Sequence, residues 1–259
     1  DYSRYSHANM TGLDLAQRLF ETERDIPLIV ISGYSDFDYA KRAIQYGVVN
    51  YLLKPVDFTE LGETLNVVLF CPDDLNLIKE GAAARRRLMD NAISQIRPRY
   101  AEYLSQFNKF YESKMRILKD WREKPSLLDT LDEFSDGMCR SSAQLIRYRA
   151  SFAARLADEA APIHSEFSGA DEKLGIEYST VSAVKDPTAS AKEIFYDLCD
   201  HMEAHRRAEL DSGQCLSGAH KDDLIISING KNARSFASQG QTRTAALSIK
   251  LAEREIYLD

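Results

Sequence analysis

Ser238-Gln239-Gly240-Gln241-Thr242-Arg243-Thr244-Ala245-Ala246-Leu247 is the stretch on which the fold turns. Ser238 stands where a helix N-cap is preferred, and Gln241 three residues later completes a capping box. The apolar spacing predicts a helix from Thr242 to about Ile256. A helix opened in this way offers free backbone N–H groups and the positive end of its dipole, which suits a phosphate. Ser238, Gln239, Gly240 and Gln241 are therefore candidate phosphate-contacting residues, with glycine at 240 permitting close backbone approach. Capping alone accounts for Ser238 and Gln241 equally well.

Working back along the chain, Leu224 to Ile228 alternates as a strand, and Asn229-Gly230 makes a turn. Ser217 to Asp223 reads as a polar loop. Leu145, Tyr148, Phe152, Leu156 and Ile163 mark one long helix. Tyr100, Tyr103, Leu104, Phe107, Tyr111, Leu118 and Trp121 mark another. Two long helices joined by a polar connector predict an antiparallel helical arm. Ala82 to Ile96 reads as a helix ended by Pro98, and Val67 to Phe70 as an apolar strand.

The first 62 residues have a different grain. Leu13 to Phe20 and Asp36 to Tyr46 have helical spacing, the second stopped by Gly47. Between them Leu28-Ile29-Val30-Ile31 is an uninterrupted apolar run of strand length. Tyr51-Leu52-Leu53 is a second short strand, closed by Lys54-Pro55, and Asp57 begins another helix. Helix and strand alternate, which predicts a parallel sheet.

Composition sets the outer limits. The chain has 259 residues and a net charge of −7, with 44% hydrophobic and 28% charged residues. This is an ordinary globular composition, enough for one large domain or two small ones. No apolar run reaches the ~18–20 residues needed to span a bilayer, and residues 1–12 are too polar for a signal peptide. Cys71, Cys139, Cys199 and Cys215 are widely separated and form no CxxC, so neither a disulfide framework nor a metal site is expected, and a reducing cytoplasm is. The charge is uneven. Residues 79–124 carry 12 Lys/Arg against 6 Asp/Glu, whereas residues 125–222 carry 10 against 18. Arg85, Arg86, Arg87, Arg97 and Arg99 in the basic block are candidate contacts for the phosphates of an anionic partner. The alternative is pairing with carboxylates inside the chain.

Taken together, the blocks Val68 to Leu75, Ile78 to Gly81, Arg85 to Asp90, Ser94 to Pro98, Gly218 to Leu224 and Ser238 to Leu247 resemble the RecF family over about residues 66–256. The resemblance implies an ABC-type ATPase head like those of the SMC and Rad50 proteins, with an inserted helical arm at about 82–165 and lobe elements at 66–81 and 174–259. It also implies ATP and Mg²⁺ as cofactors, an ATP-dependent homodimer, and DNA as partner, single-stranded, gapped or duplex. RecO and RecR are implied as further partners, in DNA replication, repair and the SOS response of a bacterial cytoplasm. In such dimers the Ser238–Gln241 motif would meet the ATP held by the other subunit.

Met10 to Leu15, Ile31 to Asp36 and Tyr51 to Pro55 resemble the second half of a response-regulator receiver domain, over about residues 1–62. That resemblance implies Ser32, Tyr51 and Lys54 as readers of a phosphoaspartate, or as remnants of the fold; Arg4 occupies the expected acceptor position. The expected fold class is thus mixed α/β, a partial ABC/SMC-like head preceded by a partial parallel-sheet receiver. The sequence contains no Gly-x-x-x-x-Gly-Lys-Ser/Thr P-loop and no acidic strand after the signature helix. No catalytic residue is therefore assigned, and inactivity of the chain alone is expected. An incomplete reading frame, or a join of two genes near residues 62–66, is the expected origin. The two functions in view are a RecF-type recombination mediator and a two-component signalling protein.

Overall fold

The computed structural model describes residues 16, 17, 20, 21, 29–32, 41–43, 45–48, 50–53, 75–168 and 171–258. The chain divides into two compact units, Asp1–Val67 and Val68–Asp259.

In the first unit, β1 (Ile29–Ser32) pairs in parallel with β2 (Asn50–Leu53), in a register that sets Ile29 against Asn50 and Ser32 against Leu53. This is the parallel pair that the apolar runs predict. Helical residues flank it, with Ala16 and Ala43 buried. Tyr46 donates to Gln17 Oε1 (3.0 Å), and its ring centroid lies 6.5 Å from that of Phe20. Gly47 ends the helix at φ 67°, the left-handed geometry that glycine adopts without a Cβ penalty. The expected helix from Asp57 and the expected strand Val67 to Phe70 lie outside the described residues.

The second unit is mostly helical. It runs through α1 (Asn76–Lys79), α2 (Ala82–Ile96), α3 (Pro98–Asp120), a 3-10 turn (Pro125–Thr130) and α4 (Leu131–Ser168). There follow β3 (Leu174–Ser179), α5 (Ala191–Ser212), a 3-10 turn (Ala219–Lys221), β4 (Asp223–Ile228), β5 (Lys231–Asn232), α6 (Ala233–Phe236) and α7 (Gln239–Leu258). The strands form an antiparallel sheet in the order β3-β4-β5, with Leu174 opposite Ile228 and Ser179 opposite Asp223. Asn229 (φ 51°) and Gly230 (φ 75°) make the tight β4–β5 turn, both in the left-handed region.

The 38-residue α4 would be about 57 Å long at 1.5 Å per residue. It packs on α3 as predicted, but also on α5, α7 and β3. Leu145, Ile146, Leu156 and Ala160 are fully buried, so α4 is the spine of the unit. The sequence reading missed α5. A complete capping box starts it at Ser190 and Glu193, and Gly213 at φ 65° ends it. The Lys114–Glu209 ion pair (2.6 Å) ties α5 to α3 with both side chains almost wholly buried. A second correction concerns Ser217 to Asp223. The expected polar loop is an interior segment: Ser217, Ala219 and Asp222 are all 0% exposed.

Candidate functional site

The capping box predicted at α7 is present. Gln241 N–H donates to Ser238 Oγ (3.2 Å) and Ser238 N–H to Gln241 Oε1 (2.8 Å). The first intrahelical bond runs from Thr242 N–H to Ser238 O (2.9 Å). The N–H groups of Gln239 and Gly240 lie ahead of it, on an exposed edge of the protein. A Cβ added at Gly240 would meet only Ser238 Oγ, at 3.9 Å, so nothing within the chain demands glycine there.

No local pattern signals what anchors the loop from behind. Gln241 Nε2 donates to Glu172 Oε1 (2.7 Å), just before β3. The other oxygen of Glu172 lies 3.3 Å from Nε2 of His164, a fully buried residue of α4. His164 Nδ1 in turn faces Ser248 Oγ (3.3 Å) on α7, and that hydroxyl donates to Thr244 O (2.7 Å). The exposed loop is thus held by a chain of polar contacts reaching the spine helix. Lys79 Nζ reaches Ala237 O (3.4 Å) from the other side.

The five arginines proposed for DNA separate into two groups. Arg85 is 5% exposed. It forks onto Asp223 (Nε–Oδ1 2.6 Å, NH2–Oδ2 2.9 Å) and donates to Leu77 O and Glu80 O. It cannot also hold a DNA phosphate, so that assignment is corrected. Arg86 donates to Asp222 O (2.8 Å) and is half-buried. Arg87, Arg97 and Arg99 are exposed. The signal was legible: Arg85, Leu88, Met89, Ala92 and Ile93 fall at i, i+3, i+4, i+7 and i+8, which puts Arg85 on the buried face of α2.

Asp222 anchors a buried polar centre. It accepts from Arg149 NH1 (2.7 Å), Tyr178 OH (2.6 Å) and Thr180 Oγ1 (2.6 Å). Arg149 also donates to Ala219 O (2.7 Å), Tyr100 OH (2.9 Å) and Asp90 Oδ1 (2.8 Å), and Tyr100 OH donates to Asp90. Burial pushes the Tyr100 and Tyr178 phenols far above their ordinary range. Burial disfavours the charge on Arg149 more than any one neighbour favours it, but Asp222, Tyr100, Asp90 and Tyr178 together outweigh burial and hold the guanidinium protonated. Sequence reasoning missed Arg149, Tyr178 and Thr180, since no local spacing links α4 to β3. Every donor here is committed within the chain, so the centre locks the 217–223 segment against α2, α3 and α4.

Ser32 ends β1, and Tyr51 lies one residue into β2. Lys54 lies just beyond the described residues. Among the described residues no group of three or more His, Cys, Asp or Glu could hold a metal ion. No helix among them is long and apolar enough to cross a membrane.

Residues 7–66 match the response regulator receiver domain family. The remainder is similar to the DNA replication and repair protein RecF of Agathobacter rectalis, 37% identical over 195 residues, covering 75% of this chain and 51% of that protein. The RecF of Listeria welshimeri is 40% identical over 198 residues, covering 74% of this chain and 52% of the relative. Two solved structures have the same fold at 33% identity: the recombination mediator protein RecF-ATPrS in the RecFOR pathway (TM-score 0.70, 75% of this chain and 53% of that one) and RecF-ATP (TM-score 0.69, 74% and 51%). The chain spans about half the length of the curated relatives it matches.

Proposed function

We propose that the RecF-like segment, about residues 66–256, acts as part of a RecF-type recombination mediator. It would bind DNA in replication and repair, and its Ser238–Gln241 loop would close over ATP held by a second subunit. The observation that carries this reading is the exposed Ser238–Gly240 edge. It presents two backbone N–H groups and a hydroxyl at the positive end of a 20-residue helix, fixed from behind by Gln241, Glu172 and His164. Among the described residues the Gln239 and Gly240 N–H groups meet no acceptor, and an edge held in this way suits a phosphate arriving from outside. The residues fit the far side of a nucleotide site. They do not fit a complete one, since the sequence holds no P-loop. Nor do the described residues offer a cluster for Mg²⁺. RecO, RecR and a homodimer of the complete protein belong to this proposal as partners.

The test is pairing in trans. The chain is mixed with the RecF of Listeria welshimeri and followed by sedimentation with ATP or ADP. A one-to-one complex is expected with ATP alone, and Ser238→Arg is expected to abolish it without unfolding the chain. A complex indifferent to nucleotide, or to Ser238→Arg, would contradict the reading.

A second reading rests on the match at residues 7–66. Ser32 at the carboxyl end of β1, with Lys54 following β2, falls where parallel sheets place ligand contacts. Signalling through Ser32, Tyr51 and Lys54 would then regulate the RecF-like segment.

A further inference from the structure

Two of the three described cysteines meet where α5 packs on α4. Cys139 and Cys199 are free thiols that line one cavity of about 200 Å³, together with the buried Met202. They hydrogen-bond each other, in the sense that favours the Cys199 thiolate and opposes that of Cys139. Cys139 is 1% exposed on the spine helix, whereas Cys199 is half-buried. Cys215 meets no second thiol among the described residues; its backbone N–H faces Met115 Sδ (3.4 Å), and burial pushes its thiol up to about 12. Neither sulfur of the pair takes part in the ion pairs or in the buried polar centre around Asp222.

From this we infer that Cys139 and Cys199 form a peroxide-reactive dithiol that closes into a disulfide. The site stands apart from the α7 loop and from the mediator reading. Its substrate class is a small neutral hydroperoxide, hydrogen peroxide above all. The cavity has room for such a molecule, and Asp132, Asp136 and Glu203 against a single arginine, Arg206, discourage an anionic oxidant such as glutathione disulfide. Cys199 attacks first. Its sulfur takes one oxygen of the peroxide as the O–O bond breaks, giving a sulfenic acid and one water. The Cys139 sulfur then displaces the sulfenic hydroxyl, which leaves as a second water with the Cys139 proton. Two thiols are thus oxidised to one disulfide while the peroxide is reduced to two waters. Burial, Asp136 and Asp200 hold the Cys199 thiol above its ordinary range, with the Cys139 S–H and Arg140 acting against them. Thiolate is therefore scarce at neutral pH, and the pair answers to sustained peroxide and not to traces. Closure pins α5 to the spine. Glu209 of α5 holds Leu216 N–H (2.7 Å) and His201 meets Ser217 Oγ, so the bridge also steadies the entry to the interior 217–223 segment.

The experiment uses the whole chain, reduced, desalted and exposed to millimolar hydrogen peroxide. Remaining thiols are alkylated in denaturant, and tryptic peptides are mapped by mass spectrometry without reduction; Lys and Arg residues separate all four cysteines. The expected product is one linked pair, Cys139 with Cys199, two hydrogens lighter than the separate peptides. It should occur in the monomer, be reversed by dithiothreitol and leave Cys215 alkylated. In Cys139→Ser, oxidation is expected to stop at a sulfenic acid on Cys199, trapped by dimedone. The wild-type map needs no variant, so it decides the matter even if Cys139→Ser fails to fold. The urea midpoint of the oxidised chain is expected to fall when dithiothreitol opens the bridge, which closes a loop of about 60 residues. Both thiols alkylated after peroxide, Cys199 linked chiefly to Cys71 or Cys215, or a link confined to covalent dimers would overturn the dithiol. So would dimedone failing to label Cys199 in a folded Cys139→Ser chain, or a midpoint that dithiothreitol does not lower.

Discussion

His220 shows how much a single residue carries here. It lies in the interior 217–223 segment, its ring 4.8 Å from that of Tyr111, with Nε2 at 3.0 Å from Cys215 O. Burial holds its imidazole down at about 4, and the Lys221, Arg86 and Lys114 charges push the same way. The folded state therefore refuses a proton that the unfolded chain accepts below about 6.5. Stability from this residue is complete above that pH and is lost as pH falls toward 4, at most about 3 kcal/mol over the window. Urea denaturation at pH 7 and pH 5 checks it: wild type is expected to lose stability between the two, and His220→Phe to lose less. The sequence could not disclose this burial, because Ser217, His220 and Asp222 read as surface. Arg149, far away in sequence, is what makes the segment an interior one. Arg85 is the opposite case, since its place on the apolar face of α2 was there to be read.

Among the elements, the long helices were the most legible, because an apolar stripe at 3–4 spacing survives any tertiary arrangement. Their packing was not. The α3–α4 contact includes Gly137 under the ring of Phe110, where an added Cβ would come within 2.6 Å of ring carbons. Alanine would favour the helix by about 1 kcal/mol, yet the overlap costs about 1–3 kcal/mol. Gly137→Ala is therefore expected to lower the urea midpoint, and to raise it in a Phe110→Ala background, where only the propensity gain remains. Lower stability in both backgrounds would mean that some other contact makes glycine necessary. Helix α5 escaped the sequence reading although its start carries Ser190 and Glu193 at capping-box spacing. Its half-buried Phe195, Cys199 and exposed Tyr196 blur the apolar stripe that would have marked it.

At the scale of the whole molecule, a change of sequence grain near residues 62–66 was the legible feature, and the two units and two sets of relatives fall on either side of it. Which surface meets a partner was less legible. The α7 loop could be read from Ser238-Gln239-Gly240-Gln241, whereas its support by Glu172 and His164 depends on residues distant in sequence. The α7 loop is proposed to serve a nucleotide bound by another subunit. Complementation of turnover tests it most directly. The partner is the Listeria welshimeri RecF carrying arginine at the position equivalent to Ser238, which is expected to bind ATP but hydrolyse little. The present chain alone is expected to hydrolyse no ATP above background. Mixed with that partner, it is expected to restore turnover through one composite site, and Ser238→Arg in this chain is expected to remove the gain. A stable mixed complex with no restored turnover, or turnover that survives Ser238→Arg, would mean that the loop does not serve a partner's nucleotide.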